Sequence, residues 1–493
     1  MRPDVGPHSL GAAVPRTRRI DHRRPMRILE VNTFAAPIGG AEIYMHTLVD
    51  ELRRRGHTVG VFAGSPDEDV DEPQRRIVKR PDWSGRDLVD DAPLIAAFER
   101  FAAAFRPDLV HCHNLHSFPV AFLSAAKRLG VPLVLTAHDF GLLCPNSWCV
   151  RGDGTVCEGG AGAKCFSGHG CEKNYPYDGR VVLSVKLRAE LAKRVFDRVT
   201  APSEYLAQRL AAHGFAGAIG LPLWVDTSKA ESLPKGVARE SDLVLFVGRL
   251  VREKGVEFLV RAWPAVRAAR PSARLLVIGG GPELEPLRAL ANELGLDAAA
   301  VLPGKVPHAE VAGLMARATC QVLPSIWCEN SPLTTYESYL AGLPMIASDI
   351  AGLPAMVREG ETGLLARPRD PQHLASRILE LLGDAALQKK LSYGCRASVA
   401  RFSRDIHMQR LVALFEDAVA QGPRNDGVNA ALPDDDLLAA ADAFYKKFGD
   451  VERWALDMKG HIDYLENKGE PQPTVKALAR HLRYKLKAWR ARR

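Results

Sequence analysis

The sequence lacks the features that would place it in a membrane or on a secretory route. No run of about 18 uncharged apolar residues occurs among its 493 residues, so we expect no membrane-spanning helix. The first 25 residues, MRPDVGPHSLGAAVPRTRRIDHRRP, contain no apolar core segment, so we expect no secretory signal peptide. We therefore expect a cytoplasmic protein in which residues 1–25 form a disordered basic segment, or in which Met26 is the true start.

A charge excess is also missing from the body of the chain. The net charge is +8, but residues 1–27 hold seven Lys or Arg against two acids and residues 471–493 hold eight against none. The residues between them include 51 basic and 56 acidic side chains. A mildly acidic body with two basic ends argues against a fold that binds nucleic acid, and it leaves tail contacts with an anionic membrane or a nucleic acid open.

Two common cofactor and metal motifs are incomplete. The stretch VIGGGPELEPL lacks the third glycine of the G-x-G-x-x-G fingerprint, and no acid closes a second strand about 20 residues later, so a nicotinamide cofactor is not expected. No C-x-x-C pair occurs among the nine cysteines, which excludes an ordinary zinc-ribbon spacing.

What the chain does contain is a strand–helix rhythm that starts at Arg27. RILEVNTF reads as a buried strand, AAPIGGAE as a turn, EIYMHTLVDELRRRG as a helix and HTVGVFAG as the next strand. Further strands are predicted at DLVHCHN, PLVLTAHD and RVTAPS, with VAFLSAAKRLG as a helix. Their apolar residues are continuous rather than alternating, which predicts parallel strands covered on both faces.

The alternation of strands and helices is interrupted at the polar stretch LPLWVDTSKAESLPKGVARES and resumes at DLVLFVGRL. Later helices are predicted at VEFLVRAWPAVRAAR and ELEPLRALANELG, and later strands at RLLVIGG, AVLPG, CQVLPS and PMIAS. We therefore predict an α/β protein with two Rossmann-like parallel-sheet domains, at residues 26–225 and 226–420, facing each other across a cleft, with a return helix at the end of the second. Ligands of such sheets lie beyond the carboxyl ends of the strands, so the cleft is the predicted site.

Residues 421–493 are predicted to form a basic helical extension. In its last part, apolar residues recur at heptad-like spacing among basic ones, at Val475, Leu478, Leu482, Leu486 and Trp489. A basic amphipathic helix can lie on anionic lipid or pair with a partner, and it can equally pack back on its own domain.

Glycines and cations follow several predicted strands. Gly39 and Gly40 open a helix, where a phosphate can approach backbone N–H groups, although many such turns hold glycine for steric reasons alone. Gly248 ends a later strand, with Arg249 next to it and Lys254 at the entrance to the following helix. The two cations could converge on one diphosphate, or they could simply be solvated.

Two glutamates eight residues apart, Glu329 and Glu337, flank a predicted helix start. Eight helical residues rise roughly 12 Å, so these carboxylates could not share a proton or a metal. They could instead accept hydrogen bonds from the two polyol ends of an elongated ligand such as a nucleoside diphosphate sugar. The backbone N–H groups between them would face its phosphates, at Asn330, Ser331, Leu333 and Thr334.

The chain resembles the retaining GT-B glycosyltransferases of the large family that includes sucrose synthase, glycogen synthase and bacterial envelope transferases. The resemblance spans about residues 26–420 and rests on IGGAE, TAHD, GRLVREKG, GGGPE and ENSPLTTYESYLAGLPMIAS with its E-x7-E spacing. Many members read E-x-F-G-[IL] at the first glutamate, whereas this chain has Pro332, which has no N–H to donate.

The resemblance implies roles for the residues already singled out. Gly39 and Gly40 would face the donor diphosphate, and Arg249 and Lys254 would neutralise the leaving group without a metal. Glu329 would hold the transferred sugar and Glu337 the ribose. His138, in TAHD, would border the transferred sugar and the acceptor. The family also implies retention by front-face attack, with a donor phosphate oxygen assisting deprotonation of the acceptor.

Five cysteines crowd into one glycine-rich segment on the presumed acceptor side of the cleft, at Cys144, Cys149, Cys157, Cys165 and Cys171. Four of their thiolates could hold a structural zinc ion. Free thiols and, in a cytosolic chain, the less expected disulfides are the alternatives.

Together these features predict a glycosyltransferase that needs no cofactor for catalysis. Its donor would be a nucleoside diphosphate sugar, and its acceptor a glycan, a lipid-linked glycan or a similar molecule in cell-envelope polysaccharide or glycoconjugate synthesis. A peripheral location on the inner face of the plasma membrane would follow from the basic tail. The alternatives are a nucleotide-sugar epimerase or a phosphorylase on the same scaffold, or a non-catalytic sugar-nucleotide-binding scaffold.

Overall fold

A computed structural model describes residues 24–80, 91–116, 118–165, 169–171, 179–225 and 239–424. The predicted N-terminal segment and the helical extension lie almost wholly outside these ranges. None of the helices within the ranges is long and apolar enough to cross a bilayer.

The first half of the chain forms an eight-stranded sheet in the order β3-β4-β2-β1-β5-β6-β7-β8. All neighbours are parallel except β3 and β4. The strands are β1 Arg27–Phe34, β2 Thr58–Ser65, β3 Val70–Glu72, β4 Arg75–Lys79, β5 Leu109–Cys112, β6 Leu133–Thr136, β7 Arg198–Ala201 and β8 Ile219–Gly220. The helices are α1 Gly40–Arg54, α2 Ala92–Phe105, α3 Ala121–Arg128, α4 Gly179–Val195 and α5 Glu204–Ala212.

The central strands of this sheet are covered on both faces, as their continuous apolarity predicted. Every residue of β5 and β6 is buried, and six of the eight residues of β1 are buried. In register, Val31 of β1 pairs with Phe62 of β2 and with Cys112 of β5. The carboxyl ends of β1, β5 and β6 therefore meet at one edge of the sheet, where Asn32, His113 and His138 lie.

The second half forms a five-stranded parallel sheet in the order β10-β9-β11-β12-β13. Its strands are β9 Leu243–Val247, β10 Arg274–Ile278, β11 Cys320–Leu323, β12 Met345–Ser348 and β13 Gly363–Ala366. Its helices are α6 Val256–Ala269, α7 Leu284–Glu293, α8 Ala298–Val301, α9 His308–Arg317, α10 Leu333–Leu340, α11 Leu353–Met356, α12 Pro371–Gly383 and α13 Ala385–Ser398. The predicted boundary between residues 225 and 226 borders the undescribed residues 226–238 and stays a prediction.

One predicted strand of the second half is wrong. AVLPG was expected to be a strand, but α8 covers its beginning and only Gly304 makes an isolated bridge to Ile278. The cause is Asp297, whose side chain accepts hydrogen bonds from the N–H groups of Ala299 and Ala300 and so caps a helical turn. Short apolar runs do not distinguish a strand from a helix, and here the cap decides.

The last described helix returns to the first sheet. This helix, α14, spans Arg404–Gln421, and its His407 ring lies 2.8 Å from the Tyr44 hydroxyl oxygen on α1. The Val225 N–H donates to the Phe402 carbonyl oxygen at 3.0 Å just before α14 begins. The helix contributes to a core that also contains residues of both sheets, so it braces the two domains against each other.

Candidate active site

Glu329 and Lys254 form a buried ion pair at the carboxyl edge of the second sheet. Glu329 lies in the loop between β11 and α10, and Lys254 ends a 3-10 turn, Arg252–Lys254, just before α6. The Lys254 ammonium donates to Glu329 Oε1 at 2.6 Å, and the Ser325 hydroxyl donates to the same oxygen at 2.6 Å. Glu329 is 3% exposed, so the pair is largely shielded from water.

Burial alone would raise the pKa of Glu329, but the pKa is lowered overall by the Lys254 ammonium and by hydrogen bonds to the carboxylate. The carboxylate therefore stays ionised at neutral pH. An ionised acceptor beside a cation can hold a sugar hydroxyl on one side while the cation faces a phosphate on the other.

Glu337 lies on α10 and is half-buried. It lines a cavity of about 150 Å³ together with Gly40 and Tyr44 of α1 and Trp224 of the segment after β8. Glu329 is not among the residues that line this cavity. That the two glutamates hold the two ends of one ligand stays a prediction. The cavity brings the starts of α1 and α10 together across the cleft.

The turn before α1 leaves space at the N-terminus of the helix. A Cβ added to Gly40 would meet no atom within 4 Å, whereas a Cβ on Gly39 would lie 2.8 Å from Glu42 Oε2. The protein's own packing therefore does not require glycine at position 40. Open space over a helix N-terminus is the environment that a phosphate needs.

Gly248 follows β9, and the GGG segment packs directly on it. Gly279 has a φ of +153° and a Cβ there would lie 1.8 Å from the Gly248 carbonyl oxygen, so only glycine fits. Arg249 is exposed, and the described part of the chain gives its guanidinium no hydrogen bond or ion pair. The structure thus brings Glu329 and Lys254 into contact and leaves Arg249 at the surface of the same strand end.

The residues after Glu329 have partners that the sequence did not indicate. The Asn330 side-chain nitrogen donates to the His138 carbonyl oxygen at 2.7 Å, and its side-chain oxygen accepts from the Ser203 hydroxyl at 2.5 Å. The Ser331 and Tyr336 hydroxyl oxygens lie 2.6 Å apart. Pro332 precedes α10, which begins at Leu333. The role predicted for the backbone N–H groups of Asn330, Ser331, Leu333 and Thr334 stays a prediction.

His138 follows β6 and belongs to a polar cluster that sequence reasoning missed. Its Nε2 lies 3.0 Å from His113 Nδ1, and His113 Nε2 lies 2.7 Å from Glu30 Oε2. His111 Nδ1 lies 2.9 Å from the same Glu30 oxygen. A glutamate inside the apolar strand RILEVNTF was the available signal, because a lone carboxylate in a buried strand needs a partner.

A small cavity of about 30 Å³ lies beside this cluster on the acceptor side. His113, His116, His138, Asp139 and other residues line it. The His116 Nε2 atom lies 3.0 Å from Asp139 Oδ2, and the carboxylate raises the pKa of His116. His138 also contacts the Tyr44 ring, with ring centroids 5.2 Å apart, so it lies between this cavity and the one that Glu337 lines.

The cysteine-rich segment lies against the second domain. All five of its cysteines are buried, and the Cys328 N–H donates to the Trp148 carbonyl oxygen at 3.3 Å, next to Glu329. Interaction with the Cys149 thiol lowers the pKa of Cys144 to about 7. The Cys157 sulfur lies 3.6 Å from His169 Nδ1.

The sulfur positions do not match a formed zinc site. Within the described ranges, the only group of three or more metal-ligating atoms that lie within 4.8 Å of one another is Glu30, His111 and His113. The predicted zinc ligands Cys144, Cys149, Cys157, Cys165 and Cys171 supply no such group. The zinc assignment stays a prediction, and no catalytic step depends on it.

Comparison with known proteins places this geometry in a family. Residues 38–229 match the model of "Glycosyltransferase Family 4", and residues 229–397 match "Glycosyl transferases group 1". A D-inositol 3-phosphate glycosyltransferase of Acidothermus cellulolyticus is 29% identical over 80% of this chain and 91% of that protein. A glycogen synthase of Mycobacterium tuberculosis is 26% identical over 83% of this chain and 100% of that protein.

Solved structures share the fold. HepE of Anabaena, in complex with UDP, is 20% identical and superposes with a TM-score of 0.60 over 80% of this chain and all of that chain. Sucrose-phosphate synthase of Thermosynechococcus elongatus is 22% identical and also has a TM-score of 0.60, over 80% of this chain and all of that chain. The two consecutive family matches, which together span residues 38–397, show that the chain belongs to the group 1, family 4-like glycosyltransferases, and the two parallel-sheet domains and the structural relatives show the GT-B architecture.

Proposed function

We propose that this glycosyltransferase moves a hexose-type sugar from a nucleoside diphosphate sugar to a glycan, glycolipid or similar acceptor, with retention of configuration at the anomeric carbon. The observation that carries the proposal is the Lys254–Glu329 pair, which lies in the same cleft as Glu337 and the open helix N-terminus at Gly40. In this proposal the two glutamates accept hydrogen bonds from the sugar and ribose hydroxyls of the donor, and Lys254 and the helix N-terminus face its diphosphate. The family's structural relatives include complexes of HepE with UDP and with UDP-glucose.

Departure of the nucleoside diphosphate places negative charge on the leaving phosphate. Lys254, Arg249 and the N–H groups at the start of α1 are the donors positioned to stabilise that charge, which makes preorganised electrostatics the main catalytic contribution. Glu329 holds the transferred sugar, and Glu337 holds the ribose. No metal takes part in the chemical steps of this scheme.

Retention is proposed to proceed without a protein nucleophile. Glu329 is already engaged by Lys254 and Ser325, so it is a poor candidate for covalent attack on the anomeric carbon. Front-face attack by the acceptor, with a donor phosphate oxygen taking the acceptor proton, needs no protein nucleophile. His138 borders the sugar and the acceptor in this scheme.

The mouth of the cleft favours an acceptor with an apolar part. Ile43 and Leu333 line the cavity beside Glu337 and are 45% and 36% exposed, and Ile38 nearby is 67% exposed. Exposed apolar side chains around a polar site are typical of surfaces that receive an apolar ligand. A lipid-linked or glycolipid acceptor in cell-envelope synthesis that extended past the donor to this rim would contact them, and it would place the protein at the inner face of the plasma membrane.

Turnover with and without an acceptor separates the alternatives. An epimerase converts the donor sugar with no acceptor present, and a phosphorylase requires inorganic phosphate as co-substrate. A non-catalytic scaffold binds the donor without turnover. We expect release of the nucleoside diphosphate to accelerate when an acceptor extract is added, together with incorporation of the labelled sugar into glycan or lipid. Complete donor epimerisation without acceptor would reject transfer.

The zinc hypothesis for the cysteine-rich segment is tested by metal analysis of the carefully purified chain. Zinc held by four of the five thiolates would give close to one equivalent per chain, lost together with structure when a chelator is added. A metal content near zero would remove zinc and leave thiols or disulfides, which thiol titration under denaturing conditions then distinguishes.

A further inference from the structure

A chain of three side chains runs from the interior of the first sheet to the cleft. Glu30, in the middle of β1, is completely buried, and its Oε2 lies 2.7 Å from Nε2 of the buried His113. His113 Nδ1 in turn lies 3.0 Å from Nε2 of the half-buried His138. Each step has hydrogen-bond length, so the three groups form one continuous path.

The carboxylate of Glu30 fixes the direction of each hydrogen bond along the path. An ionised carboxylate only accepts, so the proton of His113 lies on Nε2 and is donated to Glu30. In a neutral ring the other nitrogen then has a lone pair, and His113 Nδ1 must accept from Nε2 of His138. The Nδ1 atom of a neutral His138 is therefore left with a lone pair.

We infer that Glu30 and His113 are positioning residues that hold His138 as the Nε2–H tautomer, so that His138 Nδ1 accepts a hydrogen bond from a sugar hydroxyl in the cleft. This inference rests on the proposed function for its hydroxyl, and it deepens the role of His138 there. A carboxylate that fixes the tautomer and orientation of an imidazole is a known way of preparing a histidine for catalysis.

The charge states agree with this direction. Burial, followed by the neighbouring His111, lowers the pKa of His113 to about 4 against the opposing effect of Glu30. Burial also lowers the pKa of His138, with a further contribution from His113. Glu30 has a pKa of about 2 because the two histidines outweigh the effect of burial. Near pH 7 the path therefore consists of one anion and two neutral rings.

The burial of Glu30 inside the sheet is energetically unfavourable. Its second oxygen, Oε1, is buried with no hydrogen-bond partner in the described part of the chain. An ionised carboxylate buried in a central strand costs free energy that an apolar residue of similar size would not cost. Such a group is better explained by its effect on His113 and His138 than by a contribution to stability.

A metal ion is the competing explanation, since Glu30, His111 and His113 offer three ligand atoms within 4.8 Å. The separations favour hydrogen bonds. The 2.7 Å separation of His113 Nε2 and Glu30 Oε2 is that of a hydrogen bond. His111 Nδ1 lies 2.9 Å from the same oxygen without a hydrogen bond in the described part of the chain, and His111 Nε2 lies 2.8 Å from the Thr136 hydroxyl oxygen. Metal binding is therefore an outcome for the experiment to exclude.

The test compares variants along the path with a variant beside it. Glu30→Gln can accept or donate and so no longer fixes the His113 tautomer, and His113→Leu removes the link. His113→Asn keeps a side-chain oxygen near the position of Nδ1. Thr136→Val is the matched control, because Thr136 is also buried and its hydroxyl contacts His111 and Thr200 rather than a member of the path.

The first readout is the tautomer itself, from nitrogen NMR of selectively 15N-histidine-labelled full-length protein with the His138 signal assigned through His138→Gln. We expect the Nε2–H form in the wild type and in Thr136→Val, and a mixture in Glu30→Gln.

The second readout is donor turnover. Glu30→Gln and His113→Leu should lower kcat at least about 10-fold with KM nearly unchanged, while His113→Asn recovers most of the loss.

An Nδ1–H tautomer in the wild type, or unchanged kcat in both Glu30→Gln and His113→Leu, would overturn the inference. So would close to one equivalent of tightly bound metal that Glu30→Gln abolishes. If the wild type turns over no nucleotide sugar, the proposed function fails while the NMR result still decides the tautomer. The two failures are therefore distinguishable.

Discussion

The Asn330 side-chain nitrogen donates a hydrogen bond to the backbone carbonyl oxygen of His138 across the cleft, at 2.7 Å. Asn330 follows Glu329 directly in the second domain, and His138 follows β6 in the first. The contact therefore fixes the distance between the glutamate proposed to hold the transferred sugar and the histidine proposed to border it. The Ser203 hydroxyl holds the other end of the Asn330 amide.

We expect Asn330→Asp to lower kcat more than Asn330→Ala does. The carboxylate places a negative charge against the His138 carbonyl oxygen and opens the cleft, whereas alanine only leaves two polar groups without their partner. The expected losses are about 10-fold for alanine and more for aspartate, measured as kcat for donor turnover. Asn292→Asp, at an exposed position of α7, is the control and should have no effect. Equal activity of the three variants would show that this contact does not position the site.

Lys254→Ala and Glu329→Ala are each expected to lower transfer at least about 100-fold, the scale of losing one preorganised stabilising group. Because the two side chains share a partly buried hydrogen bond, the double variant should lose less than the product of the single losses. Kinetics on all three variants measure this coupling. Lys390→Ala and Glu293→Ala, both at exposed helical positions, are the matched controls. Near-normal turnover in both single site variants would overturn the site assignment.

Much of the fold was predictable because the signals are local. The buried strands around Val31 and Val134 are recognisable in the sequence as continuous apolar runs. The residues around the E-x7-E motif likewise predict a loop at Glu329 and a helix at Glu337. AVLPG failed because a single cap at Asp297 outweighed a short apolar run. Helix α14 was expected, but a packing surface formed with the distant Tyr44 has no local signature.

The parts of the site that sequence could not predict depend on pairs far apart in the chain. Glu30 and His113 are 83 residues apart, and Asn330 and His138 are 192 apart. Neither pair has a fixed spacing, because each is created by strand order or by closure of the two domains. The sequence singles out Asn330 because it follows Glu329, and it predicts that the backbone N–H of Asn330 faces a phosphate. The structure shows in addition that the Asn330 side chain contacts the opposite domain.

Stability should fall as the pH is lowered from 6.5 towards 4. His407 has a pKa lowered from 6.5 to about 4, chiefly by burial, and His113 shows the same shift. Between these values the unfolded chain binds protons that the native chain does not, so the stabilising contribution is complete above pH 6.5 and is lost on the way to pH 4. Urea denaturation at several pH values measures the slope.

Replacing His407 with Gln should make that slope shallower by up to about 1.4 kcal/mol per pH unit, the effect of one proton. Gln372→Ala, at an exposed position of α12 without an ionisable side chain, serves as the comparison and should leave the slope unchanged. Identical pH profiles for the wild type and His407→Gln would contradict the buried neutral state of this ring.

Deletion of residues 471–493 should weaken sedimentation of the protein with anionic liposomes, since this segment holds eight basic residues and no acid. The segment lies outside the described residues, so the prediction rests on sequence alone. Neutral liposomes provide the lipid control, and donor turnover in solution should be retained by the truncated protein. An unchanged bound fraction on anionic liposomes would refute a membrane role for the tail.

The central claim is that a nucleoside diphosphate sugar lies in the cleft between Lys254, Glu329 and Glu337. Thermal-shift measurements with UDP-, GDP-, ADP- and dTDP-sugars test it most directly, on the wild type, Lys254→Ala, Glu337→Ala and the control Lys390→Ala. We predict that one class of donor raises the Tm of the wild type and of Lys390→Ala, and that the shift largely disappears in the two site variants. Equal shifts in all four proteins, or no shift with any donor, would contradict the account.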